Sequence, residues 1–286
     1  MPDIAYIDGE YKPISEATIS INDRGLLFGD AVYATIAAFN RKPFLLDRHL
    51  SRLESSCKEL GIEASAIIEA LYDIIPSGTR MSEYENCLIY AQLSRGAHPR
   101  DIFIDENIEP HFFVTFRELK VSQTAKYREN GVNVILRPDL RGKRCDIKGV
   151  SLLPLMLMRN EARKENAFDA ILYKDDGTIA EGCSSSVFFV KSNTLITRPL
   201  SQALIPGITR KYVIDVIAPR LGYSVVTEEF GKDSLMRAEE VFLSMTTALI
   251  VPVISIDGEK IGSGVPGEVT KKITACLLKE IDLQTA

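Results

Sequence analysis

The sequence predicts a two-domain α/β (α+β) protein, and three observations carry that expectation. Its 286 residues are 45% hydrophobic and 26% charged, enough chain to bury a sizeable core as one large domain or two ordinary ones. Short β-branched and aromatic runs alternate with stretches whose apolar residues recur at helical spacing, a pattern of strands mixed with amphipathic helices. The polar segment "KVSQTAKYRENG" at 120–131 carries few large apolar residues. It reads as a linker between a small α/β domain at 1–119 and a larger one at 132–286.

In the first domain, "IAYIDGEY" and "AVYATIAAF" read as short strands. "DRHLSRLESSCKELG" places Leu50, Leu53, Cys57 and Leu60 at helical spacing and ends on Gly61, a residue suited to the turn that closes a helix. "EASAIIEALYDII" is a second helix, and the strands "NCLIYAQLS" and "PHFFVTFREL" complete a unit of hairpins and two helices. Beyond the linker, the strand "VNVILR" precedes "RCDIKGVSLLP". The helical stretch "PLMLMRNEARKENA" opens on a proline, whose missing N–H costs nothing in a first helical turn. "FDAILY" leads through the turn "KDDG" to "IAEGCSSSVFFV", and the helix "ITRKYVIDVIAPRLG" follows "PG". Strands "EVFLSMT" and "ALIVPVISI" precede a last helix from about Gly267 to Ile281. No repeat or low-complexity tract interrupts this order, and the crevice between domains is the expected ligand site.

Charge narrows the partners. A formal net charge of −5 and a pI near 5.4 argue against a sequence-independent grip on nucleic acid, which needs a basic face. Small molecules are the expected partners. No apolar run approaches the roughly 20 residues that span a bilayer, and "MPDIAYIDGEYKPI" lacks the basic flank and apolar core of a signal peptide. The expectation is a cytoplasmic protein without a membrane partner. The five cysteines, Cys57, Cys87, Cys145, Cys183 and Cys276, stand singly, and no second ligand accompanies His49, His98 or His111 at metal spacing. A disulfide framework and a metal site are both disfavoured.

"RCDIKGVSLLP" sets one ammonium, Lys148, where a strand runs into a buried segment. Lysine is seldom buried unpaired, so these residues alone describe an exposed lysine at a strand end. The wider order of stretches changes that. "DRGLLFGDAVYATI", "HLSRLESS", "YAQLSRGAHPR", "RCDIK", "EGCSSSVFFV", "LIPGITR" and "SMTTALIVPV" together resemble the class IV (fold-type IV) pyridoxal-phosphate aminotransferases, over about residues 22–253. "IYAQLSRG", "HPR" and "RCDIK" look most like the D-amino acid aminotransferases. The branched-chain signature, arginine and proline after the tyrosine of the "IY" strand and "GTAAE" near the end, is absent.

The resemblance implies that Lys148 holds pyridoxal 5'-phosphate as a Schiff base, since only a primary amine condenses with its aldehyde. By the same resemblance Arg52, Ile208, Thr209, Thr246 and Thr247 bind the phosphate, the last four through hydroxyls or N–H groups. Glu181 would keep the pyridine nitrogen protonated by opposing charge. Tyr33, Arg100 and His98 would bind the substrate, Tyr33 and Arg100 through its carboxylate. Two departures stand out: Ser186 occupies a position usually held by asparagine, and Ile102 stands where histidine is expected, while His98 precedes the proline of the arginine loop. The implied activity is transfer of the amino group of a D-amino acid, of the D-alanine or D-glutamate type, to a 2-oxo acid, in a homodimer whose second subunit contributes the Arg100 loop. An (R)-amine or branched-chain aminotransferase, an aminodeoxychorismate lyase, and a non-catalytic cofactor-binding protein are the alternatives.

Overall fold

The computed structural model describes residues 3–104 and 107–286. It divides into two units. The first holds the described residues up to Lys120 together with Ile147–Ser151 and Ile281–Ala286; the second holds Val121–Asp146 and Leu152–Glu280.

The first unit contains β1 (Ile4–Ile7), β2 (Glu10–Pro13), α1 (Arg24–Phe28), β3 (Ala31–Phe39), β4 (Lys42–Pro43), α2 (Leu46–Glu59), α3 (Ser65–Met81), β5 (Cys87–Ser94) and β6 (His111–Glu118). Its sheet runs β2-β1-β6-β5-β3-β4, with every neighbouring pair antiparallel. Side chains alternate across the pleat, and the register separates two faces. Val32, Ala34, Ile36, Ile89, Ala91, Val114 and Phe116 are buried in a core with Leu50, Leu53 and Cys57 of α2 and Ile68, Leu71 and Ile75 of α3. The opposite face presents Tyr33, Thr35, Tyr90, Gln92, Phe113 and Thr115, all partly exposed.

The first helix follows its predicted pattern and gives way after Leu60 to Gly61 at φ +63°. The second runs six residues past its expected end at Ile75, through Pro76 to Met81. A proline there forfeits a helical hydrogen bond, but the turn it occupies is anchored by packing. Gly78 lies against the Phe116 ring so closely that a Cβ would stand 2.2 Å from Phe116 Cζ. Tertiary contact overrides the local break.

In the second unit, residues 121–130 of the predicted linker form α4 (Val121–Asn130), followed by β7 (Val132–Pro138), α5 (Leu153–Lys164), β8 (Asp169–Tyr173) and β9 (Ile179–Gly182). Next come β10 (Ser186–Lys191), β11 (Thr194–Thr197), α6 (Ile208–Tyr212), α7 (Ala218–Leu221), β12 (Ser224–Thr227) and α8 (Lys232–Met236). The chain closes with β13 (Glu240–Met245), β14 (Leu249–Ile256), β15 (Glu259–Lys260) and α9 (Glu268–Thr285), the last reaching beyond Ile281. The nine-stranded sheet runs β12-β11-β10-β13-β14-β7-β8-β9, with β15 beside β14. Among the described residues of this sheet only β14–β7, β7–β8 and β11–β12 are parallel, and parallel neighbours need a crossover. For β7 and β8 that crossover contains α5, whose Met158 and Ala162 pack on Ile135, Ala170 and Leu172. Val134, Ile171, Val187, Phe189, Leu243 and Val251 build the core of the other face.

Two further details follow from local chemistry. "IAEGCSSSVFFV" is two strands, because Gly182 N donates to Ser185 O at 2.8 Å and turns the chain between β9 and β10. The single predicted helix after Gly207 is α6, a π-helical turn at Val213–Ile217, and α7. Pro219 has no N–H to offer residue 215, and the helix widens just before it. No helix among the described residues is long and apolar enough to cross a membrane.

Candidate active site

In the first unit, Lys148 is placed by the edge of a strand. The short β4 pairs only with Ala38 and Phe39, leaving the beginning of β3 available, and residues 147–150 take it. Val32 bridges Gly149, Tyr33 N donates to Lys148 O at 3.0 Å, and Val150 N donates to Ala31 O at 3.1 Å. On its other side Lys148 N donates to Ser56 Oγ of α2 at 3.3 Å. Gly29 ends α1 in left-handed backbone, φ +71°, where a Cβ would stand 2.3 Å from Ser151 Oγ. The "FGD" turn and the lysine segment therefore fit each other.

So held, the Lys148 amine is partly buried over the polar-aromatic sheet face. Its Nζ lies 3.2 Å from Tyr33 Oη and 4.3 Å from the centre of the Tyr33 ring, where an ammonium gains both a hydrogen-bond acceptor and a cation–π contact. Tyr33 stacks on Tyr90 at 5.3 Å, and Tyr90 Oη donates to Gln92 Oε1 at 2.8 Å. Burial pushes the Tyr90 phenol up to about 12, aided by Tyr33, so it remains a neutral donor.

His49, Arg52 and Ser56 recur at helical spacing on α2. His49 is 2% exposed, and its Nδ1 has no hydrogen-bond partner. Burial, then the charges of Arg52 and Lys148, hold the imidazole well below its usual value, hence neutral. The sequence placed His49 in no metal site and gave it no other role. Its spacing from Arg52 was the available signal that it belongs with the cationic residues.

The loop after β5 carries His98 and Arg100. Arg24 is buried, pairs with Asp30 at 2.9 Å and donates to Asp101 O at 2.7 Å, tying this loop to α1. The Arg100 guanidinium stands 5.6 Å from the centre of the Phe28 ring. His98 Nδ1 lies 2.9 Å from Pro99 O, and Ile102 is 77% exposed. Tyr33 thus meets Lys148 directly, whereas the contact described for Arg100 is with α1.

In the second unit, Glu181 lies in β9 and is 4% exposed. Ile205 N donates to both its oxygens, at 3.1 and 3.2 Å, and Arg141 Nη1 donates to its Oε1. Arg141 in turn grips Asp139 through Nε at 2.9 Å and Nη2 at 2.8 Å, and Lys174 Nζ reaches the same carboxylate at 2.8 Å. Burial alone would raise Asp139, but the hydrogen bonds and charges of Arg141 and Lys174 outweigh it and bring it down to about 2. Burial likewise opposes the Arg141 charge, and Asp139 with Glu181 hold it above its ordinary value. Arg141 escaped the sequence reading because it begins "RGKR", which looks like a solvated cluster.

Ile208 and Thr209 open α6, 7% and 9% exposed, directly after Gly207. Thr246 and Thr247 form the turn between β13 and β14 and are partly exposed. Ser186 of β10 pairs with Ser244 of β13, whose buried Oγ has no partner. Among the described residues no group of histidine, cysteine and carboxylate side chains could hold a metal.

The first unit of this α/β protein thus sets a lysine amine beside a tyrosine, and the second fixes a buried carboxylate with an arginine. The family model for class IV amino-transferases matches residues 31–256. A D-alanine aminotransferase of Bacillus licheniformis is 36% identical over 279 residues, covering 98% of this chain and 97% of that protein. One from Staphylococcus haemolyticus is 33% identical, covering 98% and 99%. Among solved structures, a branched-chain amino acid aminotransferase of Escherichia coli superposes with a TM-score of 0.89 at 26% identity, covering 98% of this chain and 94% of that one. A second branched-chain enzyme, from T.th. and solved with pyridoxamine 5'-phosphate, gives 0.89 at 28%, covering 97% and 93%. The chain belongs to the class IV aminotransferases.

The residues present suit that family's cofactor. A lysine amine is available for an aldehyde, a buried carboxylate for a ring nitrogen, and hydroxyls with helix-start N–H groups for a phosphate. Among the described residues, three buried side-chain atoms, His49 Nδ1, Arg198 Nε and Ser244 Oγ, stand without partners.

Proposed function

We propose that the protein is a pyridoxal 5'-phosphate-dependent transaminase that moves the amino group of a D-amino acid, of the D-alanine or D-glutamate type, to a 2-oxo acid. The observation that carries this reading is the Lys148–Tyr33 pair, a partly buried amine with its Nζ 3.2 Å from a phenol, in a chain 36% identical to a D-alanine aminotransferase along almost its whole length. When bound, the cofactor supplies an aldehyde that accepts amines and an electron-poor ring that stabilises negative charge at the substrate α-carbon.

The chain's own residues supply the rest. Lys148 would hold the cofactor through its amine, and its Nζ would serve as the general base that takes the substrate α-proton. Tyr33 Oη accepts a hydrogen bond from the charged amine and donates one to the neutral amine, so it orients Lys148 in both states. Glu181 holds a proton on the ring nitrogen. Arg52, Ile208, Thr209, Thr246 and Thr247 bind the phosphate. Arg100, Tyr33 and His98 hold the substrate carboxylate, an arginine fork being suited to two oxygens. In this reading the protein acts in the cytoplasm as a homodimer, with the Arg100 loop completing the partner's site.

Stereochemistry tests the substrate class, because Lys148 can take a proton only from the cofactor face it occupies. Purified holoenzyme should convert to its pyridoxamine form rapidly with D-alanine or D-glutamate and slowly with the L-enantiomers. Arg100→Leu should slow that half-reaction roughly ten- to a hundredfold, the loss of a charge-assisted hydrogen bond of ~1.5–3 kcal/mol, while sparing the cofactor spectrum. Branched-chain enzymes share the fold at lower identity, and rapid conversion with L-leucine or L-valine would select that alternative. Equal activity with (R)-1-phenylethylamine that survives Arg100→Leu would select an amine transaminase. No turnover with any amine and 2-oxoglutarate would leave only a cofactor-binding protein.

A further inference from the structure

Glu181, Arg141, Asp139 and Lys174 form an unbroken row of alternating charge in the second unit. Their side chains are 5%, 10%, 0% and 24% exposed in that order, so the row runs from a buried carboxylate to a partly solvated ammonium. Guanidinium geometry makes it directional. Arg141 commits Nε and Nη2 to the two oxygens of Asp139, which fixes the plane of the fork and leaves Nη1 aimed at Glu181. Nη2 also donates to Ala203 O at 3.3 Å, two residues before Ile205, whose N–H completes the Glu181 contacts.

The other charged or titratable groups near Glu181 do not substitute for Arg141. Arg210 of α6 acts on Glu181 through its charge, but its fork is hydrogen-bonded elsewhere, to Arg198 O at 2.7 Å and Thr197 Oγ1 at 3.4 Å. The Cys145 thiol bonds Gly142 O at 3.1 Å and is raised by burial, so it stays neutral.

We propose that Arg141 is a positioning residue for transamination, oriented by Asp139 and Lys174, that keeps the proton shared by Glu181 and the cofactor ring nitrogen on the nitrogen. This rests on the reading that Glu181 faces that nitrogen. A shared proton resides on the more basic partner, and a carboxylate without a cation in a buried site gains basicity. The guanidinium removes that basicity. Without it the proton moves to the carboxyl and leaves a neutral ring, which stabilises negative charge poorly. Lys174 acts at one remove: its loss leaves Asp139 to draw more strongly on Arg141, which weakens the hold on Glu181 in the same direction and by less.

The test uses holoenzyme reconstituted with cofactor labelled with nitrogen-15 in the ring. The wild type should show a protonated ring nitrogen, Arg141→Met a resonance moved toward the neutral form, Lys174→Met a smaller move, and Arg141→Lys a partial return. In Arg141→Met, kcat should fall about tenfold or more, the factor that one unit of basicity carries, with KM for the amino donor little changed. The cofactor-free protein gives an independent reading: the carbon-13 carboxyl signal of Glu181 should titrate at higher pH in Arg141→Met than in the wild type. Unmoved nitrogen and carboxyl signals in Arg141→Met would overturn the proposal whatever the activity. If that variant does not fold, an unmoved nitrogen resonance in Lys174→Met does the same. Glu181→Gln separates the two levels: if it leaves the ring nitrogen unchanged, the placement of Glu181 fails, whereas a shift there with none in Arg141→Met defeats only the role of Arg141.

Discussion

Lys148 and Tyr33 are joined twice: Tyr33 N donates to Lys148 O at 3.0 Å, and Lys148 Nζ lies 3.2 Å from Tyr33 Oη. The backbone tie fixes the lysine segment, and the phenol fixes the amine. Tyr33→Phe removes only the second link. The variant should retain cofactor on Lys148 and lose about ten- to a hundredfold in turnover, as expected for a hydrogen bond to a charged group of ~1.5–3 kcal/mol. Steady-state rates beside cofactor occupancy check this, and matching loss of both would place Tyr33 in cofactor retention instead.

Lys148→Ala should abolish multiple turnover and the absorption band of lysine-bound cofactor. Borohydride reduction of the wild type followed by peptide mapping should recover a pyridoxyl group on Lys148. Recovery on Lys143, or on any other lysine, would refute the assignment.

Electronic and binding roles should come apart in two further variants. Glu181→Gln should keep cofactor and lose rate by about a hundredfold, ~2.7 kcal/mol at the transition state. Arg52→Ala should raise the cofactor dissociation constant with a smaller effect on the saturated rate. Cofactor titrations and single-turnover rates distinguish them, and equal cofactor loss in both variants would reverse the assignments.

Packing offers a test without the cofactor. Gly78→Ala gains up to about 1 kcal/mol of helix propensity, but its Cβ would fall 2.2 Å from Phe116 Cζ, and overpacking typically costs ~1–3 kcal/mol. The variant should unfold at lower urea concentration. Adding Phe116→Leu should reduce the cost of the alanine, and a double-mutant cycle without coupling would contradict the contact.

Acid should loosen the second unit as the pH falls from about 4 toward 2. Asp139 is held at about 2 in the folded protein, below the ~3.9 of an unfolded chain. Its folded value is depressed, so its contribution, on the order of 2 kcal/mol, is complete above about pH 5 and drains away as pH falls through 4 toward 2. Urea unfolding across that window should show the loss, and Asp139→Asn should flatten the slope.

Much of this arrangement was legible in particular residues. Leu50, Leu53 and Cys57 marked the buried face of α2, and the β-branched and aromatic residues of 31–39 marked a strand. Residues 121–130 were harder to read, because no residue of α4 is buried and an amphipathic signal needs a buried stripe. Pro76 spoke against a helix that the remote Phe116 sustains. Arg141 and His49 were obscure for a related reason: their meaning depends on Glu181, forty residues on, and on the lysine segment, about a hundred residues on, and sequence spacing does not reveal such partners.

Ile147–Ser151 belongs with the first unit, although the residues on both sides of it belong with the second. The chain therefore does not divide into two fragments that can be made separately. A recombinant piece ending at Lys120 would lack the five residues that cap the start of β3, and Ala31 and Tyr33 would lose the hydrogen bonds they exchange with Val150 and Lys148. A bare sheet border is a template for other chains. Such a piece should self-associate, so cutting the gene at the apparent domain boundary yields an aggregating product, and the five residues it lacks include the lysine.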